Sequence, residues 1–284
     1  MALGTSLKHN KYLIQARRKQ IMKDFRQTIH DYSGKDLEHR KSWYSPSADA
    51  YNKLRPRYPE VLMHRVVEIA DLSPNSKILE VGCGPGTATV SFAPLGCLMD
   101  CLEPNPEFCQ LARQNCAHYP NVEIRNTSFE EWPLEAEKFD TVLAATSFHW
   151  IDPEIGYPKA ANALRADGHL ILLWNKELQP SYEVYQSLSE VYQARAPDLS
   201  RYEDRATQEK ILRELGQMAI ASGKFKDLVS EQFECKATYS VNDYLMLLST
   251  YSPYLKLEPQ VRDSVFVSVT KFSPLAKSNF RILL

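Results

Sequence analysis

Glycine is scarce in this chain, at ten of 284 residues, and a collagenous fold is thereby excluded. No apolar run approaches the ~20 residues that a bilayer-spanning helix needs. Charge of one sign is also missing. Lys and Arg total 34, Asp and Glu total 35, and the net charge is −1. A dedicated nucleic-acid binder carries a basic excess. The six cysteines are Cys83, Cys97, Cys101, Cys109, Cys116 and Cys235, and no two form a CxxC pair. Zinc sites show paired short spacings, so no metal site is expected. These thiols read as reduced core residues, which sets the expectation of a cytoplasmic protein. The opening MALGTSLKHNKYLIQ has no apolar core followed by a small-residue cleavage site, so a secretory signal is not expected. What is present is 44% hydrophobic residues, enough at this length for a sizeable core.

Composition divides the chain. Residues 1–43 form a basic extension, with ten Lys/Arg against four Asp/Glu over 1–41. Ile14, Ile21, Met22, Phe25 and Ile29 fall near helical spacing, which predicts an amphipathic helix. Its role stays open between packing on the body and touching an anionic surface. Residues 44–176 alternate short β-rich runs with helical stretches. The runs are Lys77–Val81, Leu98–Leu102, Val122–Ile124, Thr141–Ala144 and His169–Trp174, with helices over Glu107–Ala117 and Tyr157–Arg165. This alternation predicts an α/β fold, a parallel sheet between two layers of helices. Ligands bind such sheets at the carboxyl ends of the strands. Residues 177–224 lack strand signal and are expected to form a helical cap or lid. Residues 225–284 are expected to complete the sheet and add helices.

The sharpest signal is ILEVGCGPGTAT, Ile78 to Thr89, which gathers three of the ten glycines at 82, 84 and 86. Glycine permits a sharp turn and close approach of a ligand. Dinucleotide sites use GxGxxG to seat a pyrophosphate on a helix terminus. Here the spacing is GxGxG, with Pro85 inside it. Glu80 stands two residues before the first glycine, where it suits an ammonium group and repels phosphate. Glu103 follows at the end of the next strand, placed to accept hydrogen bonds from ribose hydroxyls. A ribose, a positive group and no phosphate together describe S-adenosylmethionine.

ILEVGCGPG, EPN, FDTVLAATSFHWID and ADGHLILLW together resemble the class I S-adenosylmethionine-dependent methyltransferases. YNKLRPRYP (Tyr51–Pro59) and FHW are similar to the small-molecule branch related to trans-aconitate and ubiquinone-type methyltransferases. The resemblance covers roughly Tyr44 to Glu177. It implies a Rossmann-like three-layer sandwich and S-adenosyl-L-methionine as cofactor, with S-adenosyl-L-homocysteine as product. Glu80, Gly82, Cys83, Gly84 and Gly86 would border the methionine part. Glu103 would hold the ribose, with Pro104 and Asn105 near the adenine. Ser128 and Phe129 would flank the adenine, Thr127 replacing the acidic residue frequent there. Ala145 and Thr146 would face the sulfonium. Tyr51 and Arg55 would close over the cofactor from a helix, Arg55 pairing with its carboxylate. The family's late antiparallel hairpin strand has only FSPLAKSNFRILL as its counterpart here.

The sulfonium is already an electrophile, so the protein has mainly to align the acceptor and exclude water. His149, just beyond the fourth strand, is the candidate catalytic base, and it also suits a purely orienting role. Trp150 and Trp174 are candidate substrate-binding walls, or core indoles. Nucleic-acid amino-methylating enzymes of this fold place DPPY or NPPF after the fourth strand, and this chain has ATSF. The partner expected is therefore a small organic molecule such as a specialised metabolite, methylated on O or N, with no nucleic acid and no membrane span. The alternatives are a non-catalytic cofactor- or partner-binding protein and a nicotinamide oxidoreductase. Oligomeric state is not legible.

Overall fold

The computed structural model describes residues 33–177, 182–200, 205–233, 235–270 and 280–283. The amphipathic helix expected within the first 32 residues lies outside them. Among the described residues the first helices are α1 (Leu37–Ser42), α2 (Ala48–Leu54) and α3 (Glu60–Ile69). The α/β unit follows as β1 (Lys77–Val81), α4 (Thr89–Phe92), β2 (Leu98–Leu102), α5 (Pro106–Asn115), β3 (Val122–Arg125), β4 (Phe139–Ala145), α6 (Pro153–Ala163) and β5 (Leu164–Leu173). The remainder is α7 (Tyr182–Arg195), α8 (Arg205–Ala221), β6 (Lys236–Tyr239), α9 (Val241–Leu248), α10 (Ser252–Leu255), α11 (Pro259–Thr270) and β7 (Phe280–Leu283).

The main sheet has the order β3-β2-β1-β4-β5, and every pairing in it is parallel. The chain reverses direction across the sheet between β1 and β4, which opens a crevice at the carboxyl ends of those strands. β1 is central and buried on both faces, so it reads as a continuous run rather than an alternation. Ile78, Met99, Cys101 and Leu143 face one apolar layer, shared with Met63 and Val66 of α3 and with Phe92. Leu79, Leu102 and Val142 face the other, shared with Phe129, Trp132 and Tyr157. This is the expected three-layer α/β arrangement.

Asn105 sits where a helix start needs it. Its side chain accepts from the Phe108 N–H at 2.9 Å, and Pro106 follows at the first helical position. Asp152 and Pro153 start α6 in the same way.

Three features depart from expectation. Asp167 and Gly168 do not separate helix from strand. Strand β5 already begins at Leu164, and a register shift between its Leu164 and His169 pairings absorbs the turn. The helices of residues 177–224 divide between two apolar cores. Helix α7 packs on α11 in a separate apolar core with Tyr192, Tyr244, Leu247 and Leu54, whereas α8 lies on the sheet layer through Ala219 and Met218. The C-terminal region does not complete the main sheet, because β6 and β7 pair antiparallel with each other. Residues 226–232 are exposed and form no strand against β5.

Candidate functional site

A cleft of about 1050 Å³, including its open mouth, lies at the carboxyl ends of β1, β2 and β4. Its floor is the glycine loop. The N–H groups of Gly82 and Cys83 both donate to the Leu102 carbonyl, at 2.8 and 3.0 Å, fixing the loop to the end of β2. Gly82 has φ +68°, and a Cβ there would stand 2.7 Å from Ser147 Cβ. Gly84 has φ +56° and nothing within 4 Å of its Cβ position, so the loop presents bare backbone to the cleft. Gly86 does not line the cleft. It packs against α5, where a Cβ would meet Cys116 Sγ at 3.4 Å.

Glu103 is the polar centre of the site. Its Oε2 accepts from the Gly84 N–H at 2.7 Å and its Oε1 from the Asn105 N–H at 2.8 Å. The carboxylate thus ties the glycine loop to the start of α5. It is only 6% exposed, and that exposure is on the cleft. Burial pushes its pKa up to about 7 against the opposing pull of the two N–H donors. Each oxygen keeps acceptor capacity for a ligand hydroxyl.

A strap from Leu37 to Ser47 covers one side. Arg40 pairs with Glu130 at 2.7 Å and also donates to the Trp150 carbonyl, and Lys41 pairs with Glu131 at 3.1 Å. Asn105 donates to the Lys41 carbonyl at 2.7 Å. Tyr44 meets Tyr51, Phe108 and Trp150 with ring centroids 5.5–5.9 Å apart. Together these rings form an apolar wall suited to a flat base or ring.

The cleft brings together Tyr51, Arg55, Gly82, Cys83, Gly84, Glu103, Pro104, Asn105, Ser128, Phe129, Ala145, Thr146 and Trp150. Arg55 is held firmly. Its guanidinium lies between the Tyr51 and Tyr251 rings, 4.5 and 4.0 Å from their centroids, and donates to Thr250 Oγ1 at 2.8 Å and the Thr250 carbonyl at 2.6 Å. Ser128 Oγ engages Glu131 at 2.9 Å. The Cys83 thiol is raised well above its ordinary pKa by burial, so it is a compact wall residue and not a nucleophile.

Besides Gly86, three expected residues stand elsewhere. Glu80 does not border the cleft. It is 0% exposed behind the loop, where Oε2 accepts from Thr89 Oγ1 at 2.7 Å and Oε1 has no partner. Burial raises its pKa to about 7. His149 and Trp174 line a smaller adjoining pocket with Tyr157, Leu215 and Met218. The Trp174 indole N–H approaches His149 Nδ1 at 3.5 Å. Burial, with Lys176 and Arg55, lowers the His149 pKa to about 4. Sequence reasoning missed Tyr44, Tyr58 and Asn175, which all line the main cleft. Tyr58 lies inside the RPRYP run, where the signal was present but unassigned. No group of side chains among the described residues has the makings of a metal site.

Comparisons with known proteins bear on the fold and the domain. A methyltransferase-domain family matches residues 78–168. An uncharacterized methyltransferase of Mycobacterium tuberculosis is 30% identical over 46% of this chain and 51% of its own length. The chain thus spans about half the length of the first curated relatives it matches. An uncharacterized methyltransferase of Schizosaccharomyces pombe is 24% identical over 76% of this chain and 80% of its own length. Among solved structures, a candidate type II methyltransferase from Anaeromyxobacter dehalogenans shares the fold, with a TM-score of 0.59 at 18% identity over 81% of this chain and 93% of that one. S-Adenosylmethionine is the cofactor that this family implies, and a buried carboxylate beside a bare glycine loop and an aromatic wall fits its ribose and base. Residues 78–168 thus match a methyltransferase-domain family, and the chain shares the fold of a solved methyltransferase.

Proposed function

We propose that the protein transfers a methyl group from S-adenosylmethionine to an oxygen or nitrogen of a small organic molecule. The observation that carries this reading is Glu103, a buried carboxylate locked between the glycine loop and α5 with its free acceptor capacity on the cleft. The bound cofactor would supply an activated methyl. The chain's own residues supply the rest. Glu103 would hold the ribose, the Tyr44–Phe108 wall the adenine, and Ala145 and Thr146 the neighbourhood of the sulfonium. The strap over the cleft supports a small acceptor, since it narrows access and shields the site from water. The net charge of −1 is consistent with an acceptor other than nucleic acid. The first test is transfer of labelled methyl from S-adenosylmethionine into small-molecule and macromolecular fractions of a cell extract. Label confined to protein or nucleic acid would overturn the acceptor class.

Two results are expected from this reading. S-Adenosylhomocysteine binding should depend on pH. Glu103 accepts ribose hydroxyls as a carboxylate, and its pKa without ligand is about 7. Protonation below pH 7 therefore competes with binding, and the dissociation constant at pH 6 should be about tenfold that at pH 8. Calorimetric titration at the two pH values checks this, and a flat profile would remove Glu103 from the ribose site. The second result concerns His149. A buried imidazole with its pKa lowered to about 4 stays neutral at physiological pH and is a weak base. His149→Gln should keep the initial rate of methyl transfer within about threefold, whereas loss of a general base typically costs ~100-fold or more. A loss of that size would restore His149 as the base.

A further inference from the structure

The carboxyl end of β4 carries a backbone oddity. Thr146 has φ +59°, in the left-handed region that a β-branched residue rarely adopts. Such conformations persist where the surroundings over-determine them, and they gather at functional sites. Here the surroundings are explicit. The Thr146 N–H donates to the Leu173 carbonyl at 2.7 Å. Its Oγ1 accepts from the Asn175 N–H at 3.2 Å and lies 2.9 Å from the Tyr58 hydroxyl. Asn175 is itself anchored through Nδ2 to the Pro56 carbonyl at 2.9 Å. Tyr58, Thr146 and Asn175 come from three separate segments and converge on the cleft wall.

The protons of this cluster can be counted. Tyr58 and Thr146 bring two hydroxyl protons, and one is consumed by the bond between them. Thr146 Oγ1 already receives the Asn175 N–H. If Tyr58 donates to Thr146, the Thr146 proton is left over. If Thr146 donates to Tyr58, the Tyr58 proton is left over. In either case one O–H has no acceptor among the described residues. Tyr58 is only 7% exposed, so solvent offers little compensation, and burial holds its phenol neutral. The leftover proton is nearly shut off from solvent when it is Tyr58's and faces the cleft when it is the half-buried Thr146's, and in both cases a ligand oxygen on the cleft can accept it.

We infer that Tyr58 and Thr146 form a hydroxyl subsite that donates one hydrogen bond to a ligand oxygen at the methyl-transfer end of the cleft. This rests on the methyltransferase reading. The oxygen has two possible sources, the carboxylate of the cofactor's methionine part and an oxygen of the acceptor molecule. Neither source needs a change in the protein, because the cluster is held in place before any ligand arrives.

The experiment uses Tyr58→Phe, with Thr146→Val as a second variant that removes the other hydroxyl while keeping a β-branched shape. S-Adenosylhomocysteine and 5′-methylthioadenosine, which lacks the carboxylate, are titrated into each protein. Labelled methyl transfer into the small-molecule extract is measured at saturating S-adenosylmethionine. A 10- to 100-fold weakening of S-adenosylhomocysteine with unchanged 5′-methylthioadenosine supports the subsite and assigns its oxygen to the cofactor. Unchanged binding of both with a transfer rate at least about tenfold lower supports it and assigns the oxygen to the acceptor. Parallel weakening of both ligands, or no change in any measurement, overturns it. Failure of the wild-type protein to bind S-adenosylhomocysteine overturns the methyltransferase reading itself and this inference with it.

Discussion

Glu103→Ala is expected to raise the dissociation constant for S-adenosylhomocysteine by about 10²- to 10⁴-fold. The arithmetic is direct. Two hydrogen bonds from ribose hydroxyls to a carboxylate contribute ~1.5–3 kcal/mol each, and ~1.4 kcal/mol is tenfold in affinity. The substitution also leaves the Gly84 and Asn105 N–H groups without their acceptor, so the loop loosens at its point of contact with the ligand. Glu103→Gln is not a mild change here. The two carboxylate oxygens each face a backbone donor, so a Gln amide must turn its NH₂ against one of them. Its loss should lie between wild type and Glu103→Ala, and the pH dependence of binding between pH 6 and 8 should disappear. Calorimetry on the three proteins decides the matter. Binding by Glu103→Ala within threefold of wild type would show that the ribose sits elsewhere.

Gly82→Ala is expected to be the most destabilising single methyl in the loop. Two costs add. The left-handed backbone disfavours alanine by ~1–2 kcal/mol. The new Cβ would stand 2.7 Å from Ser147 Cβ, and forcing extra carbon into a packed site costs ~1–3 kcal/mol. A loss of about 2–5 kcal/mol corresponds to a fall in Tm of about 3–8 °C for a chain of this size. Gly84→Ala isolates the first cost, because nothing lies within 4 Å of its Cβ position. Its Tm should fall about half as far or less, while its ligand binding suffers from the methyl on the cleft floor. Introducing Ser147→Gly with Gly82→Ala should recover the steric part, and the double-mutant coupling measures it. Equal Tm losses for Gly82→Ala and Gly84→Ala would show that Ser147 is not the obstacle.

Much of the fold could be read from the chain because its signals are local. β1 and β2 are five-residue β-rich runs closed by turn residues, and they occupy the bounds expected of them. Glu103 was legible from spacing alone, since the end of β2 must lie beside the end of β1 in a parallel pair. Side-chain direction was not legible. Glu80 shares a strand face with Ile78 and points into the α4 layer toward Thr89, which a one-dimensional pattern cannot separate from pointing at the loop. His149 and Trp150 are adjacent in a tight 3₁₀ turn that sends one ring to the small pocket and the other to the cleft. The strand-like run from 225 fails in most of its length because it has no neighbour with a complementary apolar face. Only Lys236–Tyr239 finds a partner, in β7.

The fastening of the cleft also sets an order of events. The sheet joins segments close in sequence, whereas Arg55 reaches Thr250 across 195 positions and Tyr44 reaches Ser252 across 208. Closing such spans carries an entropy cost that grows with their length, so these contacts form after the strands have assembled. The ligand-facing wall is then expected to form last and to open first. Amide exchange should accordingly be faster in Tyr51–Arg55 and Thr250–Tyr254 than in β1 and β4, and bound S-adenosylhomocysteine should slow the wall far more than the strands.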